Sequence, residues 1–180
     1  MCSGKTTELL RRLEVASVGK KCLYINSNID SRDTTSSGLN VTSHNPLYSG
    51  IATKVQTVKC SKLMNVDVAN FDVIGIDEAQ FFGDLVVACH TFVDLMKKCV
   101  IVAGLNSDWR RQKFGHISEL LCKADDITLL KACCVDCAVK GKYVAAPFTW
   151  KISPDTQRVD SGGCEKYTPL CRACYEYKTL

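Results

Sequence analysis

Three groups of residues in this sequence have types and spacings that could do chemistry. The first is Ser3-Gly4-Lys5-Thr6, at the head of an apolar-periodic run. In a G-x-x-x-x-G-K-[ST] loop, backbone N–H groups and a helix N-terminus hold phosphates. The lysine adds a point charge on the β/γ oxygens, and the Ser/Thr hydroxyl binds Mg²⁺. Gly4, Lys5 and Thr6 fit the last three positions of that loop. Its first glycine and the strand that feeds it have no counterpart here, so the expectation is a natural start upstream of Met1, the alternative being an impaired phosphate cradle. Taken alone, the tetrapeptide equally describes an exposed helix start with a solvated lysine.

The second group is Asp77-Glu78, which ends the apolar run Val73-Ile74-Gly75-Ile76. A carboxylate at the end of a buried strand can hold Mg²⁺ directly or through water. A second carboxylate beside a metal-bound triphosphate can accept the proton of an attacking hydroxyl. Two strand-end acids facing solvent are the structural alternative. The third group is Cys134-x-x-Cys137 and Cys171-x-x-Cys174, with 33 residues between the pairs. Two such knuckles supply four thiolates for a closed, structural zinc site of the ribbon type, with no open position for catalysis. The usual spacer is about 15–20 residues, so this one implies a hairpin or excursion between the knuckles. Cys133 adjoins Cys134, but Cys134 gives the standard two-residue gap. A redox pair or plain buried thiols remain the alternatives, and the other cysteines read as packing residues.

The elements that must position these groups follow from periodicity. The chain has 180 residues, enough for one domain with a small appendage at roughly 150 residues per domain. A hydrophobic share of 46% and a charged share of 23% exclude intrinsic disorder, collagen and coiled coil. No apolar run approaches the roughly 20 residues of a membrane span. The N-terminus has no apolar leader, and 12 cysteines without one point to a reducing, cytoplasmic compartment. A net charge of +4 is too small to indicate a nucleic-acid binder by itself.

Leu9, Leu10, Leu13 and Ala16 predict a helix over 6–18, closed by Gly19. Cys22–Ile25 reads as a buried strand, and 26–50 as a long Ser/Thr/Asn/Asp/Gly loop of the kind that carries function. Val73–Asp77 is a strand. Asp84 is placed to cap a helix running through Leu85, Ala88, Phe92 and Leu95-Met96. Val100–Gly104 is the next strand, 116–122 a short helix, and Ile127–Leu130 a further strand. This alternation predicts an α/β fold with a mainly parallel sheet over 1–130. After Lys131 the texture changes to cysteine pairs and short β-like runs, so 131–180 is expected to form a separate small unit.

In this order the segments resemble those of the thymidine kinases shared by animal cytosol, many bacteria and large DNA viruses. MCSGKTTELLRR resembles that family's phosphate loop and helix, and VIGIDEAQFF its most specific stretch. VAGLNSDWRRQKFG resembles its substrate-side loop. KACCVDCAVKGKY with SGGCEKYTPLCRAC resembles its zinc ribbon and nucleoside-enclosing lasso. The resemblance implies a P-loop sheet fold with a C-terminal zinc-ribbon lasso. It implies transfer of the ATP γ-phosphoryl group to the 5′-hydroxyl of thymidine, and of deoxyuridine, with Mg²⁺ and structural Zn²⁺.

It places Glu78 as the catalytic base. It places Ser3, Gly4, Lys5, Thr6, Thr7, Asp77, Gln80, Asp30 and Arg32 at the nucleotide. Met1, Phe81, Leu105, Trp109, Phe114, Gly162 and Tyr167 fall around the base, with Trp109 offering a face for stacking. Without the resemblance, Phe81, Phe114 and Tyr167 would read as packing residues. Arg110, Arg111 and Lys113 read as mostly solvated. Val144 stands where the family often carries a hydroxyl, and Asn106 where it often carries an acid. His44 is given no role. A homotetramer is the implied assembly. Two other readings stand beside this one: a zinc-ribbon module that binds nucleic acid, and a catalytically impaired subunit that keeps only assembly.

Overall fold

The structure is a computed structural model that describes residues 1–29, 55–152 and 165–179. Asp30, Arg32, His44 and Gly162, all singled out above, lie outside the described residues.

Helix α1 spans Lys5–Ala16 and buries Leu9, Leu10 and Leu13 along one face, as the spacing predicts. It ends at Ala16, two residues earlier than expected, with Ser17 as its C-cap, and Gly19 lies in the turn that follows. Strand β1 (Cys22–Ser27) is buried at all six positions. It is flanked by β2 (Val55–Cys60), which the sequence reading passed over, and by β3 (Val73–Ile76). Strand β4 (Cys99–Val102) completes a four-stranded, all-parallel sheet of order β2-β1-β3-β4.

A parallel sheet must be covered on both faces, and the alternation of side chains assigns them. Cys22, Tyr24, Val55 and Val73 meet the leucines of α1. Leu23, Ile25, Ile74 and Ile76 meet Leu63, Val68, Phe82, Leu85 and Phe92 on the other face. Gly75 lets α1 sit close to β3: a Cβ there would lie 2.6 Å from Leu13 Cδ1.

Helix α2 covers only Leu85–His90 and continues as a π-helical turn over Thr91–Leu95. Leu85, Ala88, Cys89 and Phe92 keep the predicted inward spacing. The wider turn then rotates Leu95 and Met96 off the core, where an unbroken helix was expected to bury them. Asp84 precedes α2 but makes no capping bond. Its Oδ2 instead accepts from the Met64 N–H at 3.0 Å, and its buried Oδ1 has no partner among the described residues. Helix α3 is confined to Ile117–Leu120. The expected strand at Ile127–Leu130 does not form. Ile127 and Leu129 are exposed, and Arg12 of α1 holds the segment by Asp126 (3.4 Å) and the Thr128 hydroxyl (3.0 Å) in place of a strand ladder.

Beyond residue 131 the elements are short. Strand β5 (Ala132–Cys133) pairs antiparallel with β6 (Ala145–Ala146), and β7 (Phe148–Lys151) with β8 (Tyr167–Leu170). Helix α4 (Val135–Ala138) follows Cys134, and α5 (Arg172–Thr179) follows Cys171. Their own buried cluster joins Ala132, Cys134, Ala146, Leu170, Cys171 and Tyr175.

Candidate active site and metal centre

The phosphate-type segment opens α1. Gly4 is its N-cap in the left-handed region, with φ 77 and ψ 20, a conformation glycine adopts freely. A Cβ on Gly4 would meet nothing within 4 Å, so the space before the helix is open. Ser3, Lys5, Thr6 and Thr7 are half-buried around it. The exposed N–H groups of a helix start attract anions at such a place.

Thr6 reaches the second group. Its hydroxyl hydrogen-bonds the carboxylate of Asp77 at the end of β3. Asp77 is buried, and its Oδ2 also accepts from the Tyr24 hydroxyl at 2.9 Å. Its Oδ1 accepts from the Glu78 N–H at 2.9 Å. Burial first, then the Glu78 charge, push the Asp77 carboxyl above its ordinary range, against these hydrogen bonds. A divalent cation is the group that would offset such a charge, and a buried carboxylate beside a threonine hydroxyl at a helix start is a hard oxygen donor set. The residues therefore fit Mg²⁺. Tyr24 was missed from sequence. Its signal was a lone hydroxyl-bearing ring in the aliphatic strand CLYINS.

Glu78 is held in an unusual backbone state, φ 47 and ψ 39. A non-glycine residue there costs about 1–3 kcal/mol and persists only when its surroundings fix it. The turn at 79–81 does so through Ala79 N–H to Ala103 O (3.0 Å) and Phe81 N–H to Glu78 O (3.1 Å). Gln80 Nε2 donates to Glu78 Oε2 at 2.6 Å, and Gln80 Oε1 accepts from the Leu105 N–H at 2.9 Å. Gln80 is thus a buried bridge between the acid and the loop after β4. Gly115, at φ 56, fits against it so closely that a Cβ would strike the Gln80 backbone.

The proposed base-side residues divide. Phe81 and Phe114 are half-buried and meet edge to face with centroids 5.6 Å apart, whereas Phe82 is the core aromatic. Leu105 is half-buried, and its N–H donates to the side chain of Gln80, the neighbour of Phe81 in the chain. Tyr167 is buried in β8, opposite Lys151. Met1 meets the second region: its amino group donates to Thr149 Oγ1 at 3.0 Å. Trp109 does not offer a bare face. The Arg110 guanidinium lies 4.5 Å from its ring centroid and Lys151 Nζ 5.9 Å, and the indole N–H is buried without a partner among the described residues.

The loop that carries Trp109 is organised by Asp108, which the sequence reading did not single out. Buried Asp108 Oδ1 accepts from the N–H groups of Arg110 (3.0 Å) and Gln112 (2.8 Å). This is the side-chain-to-backbone turn that aspartate makes, legible in D-x-R-R-Q. Arg111 is exposed as expected, but its guanidinium packs on two rings, Tyr175 at 4.8 Å and Phe148 at 5.6 Å.

The structure brings together the four cysteines chosen by spacing. The sulfurs of Cys134, Cys137, Cys171 and Cys174 all lie within 4.8 Å of one another. Cys137 is 3.8 Å from Cys171 and 3.7 Å from Cys174. Tetrahedral zinc with Zn–S bonds near 2.3 Å requires S···S separations of about 3.8 Å. Cys133 points its sulfur to the Cys134 carbonyl and stays outside the cluster. Burial acts to raise the Cys134 thiol, but N–H groups of Cys171 and Cys137 and the neighbouring thiols outweigh it and bring it to about 7. Cys174, hydrogen-bonded with the other thiols, is pushed up to about 12. The Cys134 thiol is ready to ionise, whereas those of Cys137 and Cys174 are pushed up and would ionise on a cation, which is what a zinc centre supplies. Val144, whose carbonyl accepts from the Cys134 N–H at 2.8 Å, belongs to this packing.

The profile of the thymidine kinase family matches residues 1–175. The thymidine kinase of Amsacta moorei entomopoxvirus is 40% identical, over 97% of this chain and 93% of its own length. That of Fowlpox virus (strain NVSL) is 37% identical over 97% of this chain and 92% of its own. The cytosolic thymidine kinase of Gallus gallus is 34% identical over 99% of this chain and 74% of its own. With Thr6 of α1 bonded to Asp77 at the end of β3, and a four-cysteine centre beyond the sheet, the chain belongs to the thymidine kinase family.

Proposed function

We propose that this chain transfers the γ-phosphoryl group of ATP to the 5′-hydroxyl of thymidine, and of deoxyuridine. The observation that carries the reading is the meeting of the helix start with the strand end, Thr6 on Asp77, with Glu78 next in the chain. Amides of Ser3, Gly4 and Thr7 and the Lys5 ammonium receive the triphosphate. Thr6 and Asp77 would hold Mg²⁺, which supplies charge neutralisation on the phosphates. Glu78 takes the proton of the 5′-hydroxyl, and its left-handed backbone sets the direction of the carboxylate. Gln80 keeps that carboxylate in place and ties it to Leu105, a role in orienting the acid more than in holding nucleotide. Phe81, Phe114 and Leu105 form the half-buried apolar wall for the base, with Met1, Trp109 and Tyr167 around it. For Asp30 and Arg32 at the phosphates and Gly162 at the base, the reading rests on the sequence resemblance alone.

The four cysteines hold structural zinc, and the chain divides into a nucleotide unit over 1–130 and a zinc unit over 131–180. No described cysteine is in a disulfide, and this suits a cytoplasmic protein. Among the described residues no helix is long and apolar enough to cross a membrane. A homotetramer, checked by sedimentation, completes the reading.

Glu78→Gln is the test. With thymidine, ATP and Mg²⁺, kcat should fall by about 10²–10⁴, the usual worth of a general base, while thymidine affinity stays near wild type. An unchanged kcat would remove Glu78 from the chemistry.

A further inference from the structure

One side chain of the cysteine-bound unit hydrogen-bonds the backbone of the nucleoside-side loop. Tyr175 lies in α5, next to Cys174, and its N–H donates to the Cys171 carbonyl at 2.9 Å. Helix α5 starts between these two cysteines, so their positions set the direction in which it leaves. The Tyr175 ring is buried, edge-on to Trp150 at 5.4 Å and tilted against Phe148 at 5.6 Å. Its hydroxyl donates to the backbone carbonyl of Trp109 at 2.6 Å, 66 residues away in the chain.

The same ring carries the next residue but one. The Arg111 guanidinium stacks over it at 4.8 Å, and Arg111 is held at φ 62, a conformation that needs outside support. The loop behind this tip is tied together by its own bonds. Asp108 ties the Arg110 and Gln112 amides together, and Ser107 bridges Lys113. Phe114 follows immediately and forms the edge-to-face pair with Phe81.

We propose that Tyr175 is a positioning residue for nucleoside binding. It clamps the Trp109–Arg111 tip onto the four-cysteine unit, so that assembly of the metal centre sets the placement of Phe114 and of the base wall. The link to the nucleoside rests on the kinase function proposed above; the clamp itself rests on the contacts alone.

The test uses the full, zinc-loaded chain and its Tyr175→Phe variant, which keeps the ring and removes the hydroxyl. Zinc content should be unchanged. Amide exchange over 109–112 should quicken about threefold to tenfold, the worth of one such hydrogen bond, with exchange in β1 and β3 unaltered. KM for thymidine should rise by a similar factor while KM for ATP stays fixed. A merely structural role would not split the two. Arg111→Gln, which removes the stack and leaves the hydroxyl, should change exchange and KM in the same direction. Chelation of zinc from the wild-type chain should expose 109–112 as well. Unchanged exchange at 109–112 in zinc-loaded Tyr175→Phe would overturn the clamp. Loss of zinc in that variant would overturn it too, since Tyr175 would then belong to the metal unit's own packing. A wild-type chain that turns over no thymidine would overturn the kinase function, and exchange would still decide the clamp.

Discussion

The four-stranded sheet and the cysteine-bound hairpins bury their interiors by different means. In the sheet, β1 is covered on both faces, by α1 leucines on one and by Leu63, Phe82, Leu85 and Phe92 on the other. In the hairpins, the ladders are two and four residues long, and the buried set of Ala132, Cys134, Ala146, Leu170, Cys171 and Tyr175 contains two proposed metal ligands. Aliphatic burial at about 25 cal/mol per Å² can hold the first arrangement. So few side chains among the described residues hold the second less firmly, and the proposed zinc coordination would supply the difference. The sheet should therefore answer to lost methylenes and the hairpins to lost metal.

Zinc removal breaks the comparison most forcefully. Structural zinc contributes on the order of 10–16 kcal/mol in small zinc-dependent folds. A chelator, or Cys171→Ser, should melt the elements beyond residue 131 while exchange protection in β1 and β3 persists. Hydrogen exchange resolved by segment is the readout, and simultaneous loss of both regions would show a single cooperative unit. The complementary change is Leu13→Ala. Leu13 is fully buried against β3, and its truncation should cost about 2–5 kcal/mol. Urea unfolding followed by signals from the sheet should show that cost, with zinc content unaltered.

The two regions also differed in how far the sequence disclosed them. Helix α1 and strands β1, β3 and β4 are long apolar patterns, and each appeared within a few residues of its expected bounds. The Cys pairs were legible because a metal demands a fixed spacing, and the four sulfurs that cluster include that of Cys134 and not that of Cys133. Strand β2 escaped because its outer positions are only half-buried, which blurs the apolar signal. Ile127–Leu130 misled for the opposite reason: it has a strand's composition, but a strand needs a neighbour with free backbone groups. In the candidate site, the proposed roles of Thr6, Asp77 and Glu78 come from residue type and position. Their supports were not legible in the sequence. Tyr24 on Asp77, Asp108 inside its loop and Tyr175 on Trp109 join residues by side-chain bonds that no local pattern encodes. Trp109 looked like an open platform because the cations beside its ring, Arg110 and Lys151, come partly from the other region.

A smaller effect sharpens the comparison inside the sheet, where Asp77 sets function against stability. Its carboxyl is raised in the folded state, so ionised Asp77 weakens the fold. The sign follows from linkage. Protonated below the unfolded-state value, it costs little; as pH rises past that value, the unfolded chain releases the proton more readily and stability falls. Asp77→Asn should abolish this loss and stabilise the metal-free sheet at neutral pH relative to wild type. It should also remove most turnover. Thermal unfolding of both proteins between about pH 4 and 8, without added Mg²⁺, checks it; equal slopes would mean that the buried carboxylate is already compensated.

The smallest effect lies on the outside of the same sheet. Glu8 bonds the Arg11 guanidinium at 2.8 Å and Arg12 at 2.9 Å, and these partners hold its carboxyl down to about 2. Arg12 continues to Asp126 and Thr128, so the acid anchors the segment that failed to become a strand. A depressed folded-state value gives stability that is present above the unfolded value near 4.5 and is lost as pH falls toward 2. All three side chains are partly exposed, and solvent screening limits the gain to about 1 kcal/mol or less. Glu8→Gln should remove that increment and flatten the acid limb of unfolding between about pH 4.5 and 2. It should also be the one change that salt mimics, because ions at high concentration screen a surface network and leave the leucines of α1 untouched. If Glu8→Gln instead cost as much as Leu13→Ala, the sheet would owe its stability to charge as well as to burial, and the contrast with the metal-held hairpins would narrow to a difference between two kinds of electrostatic fastening.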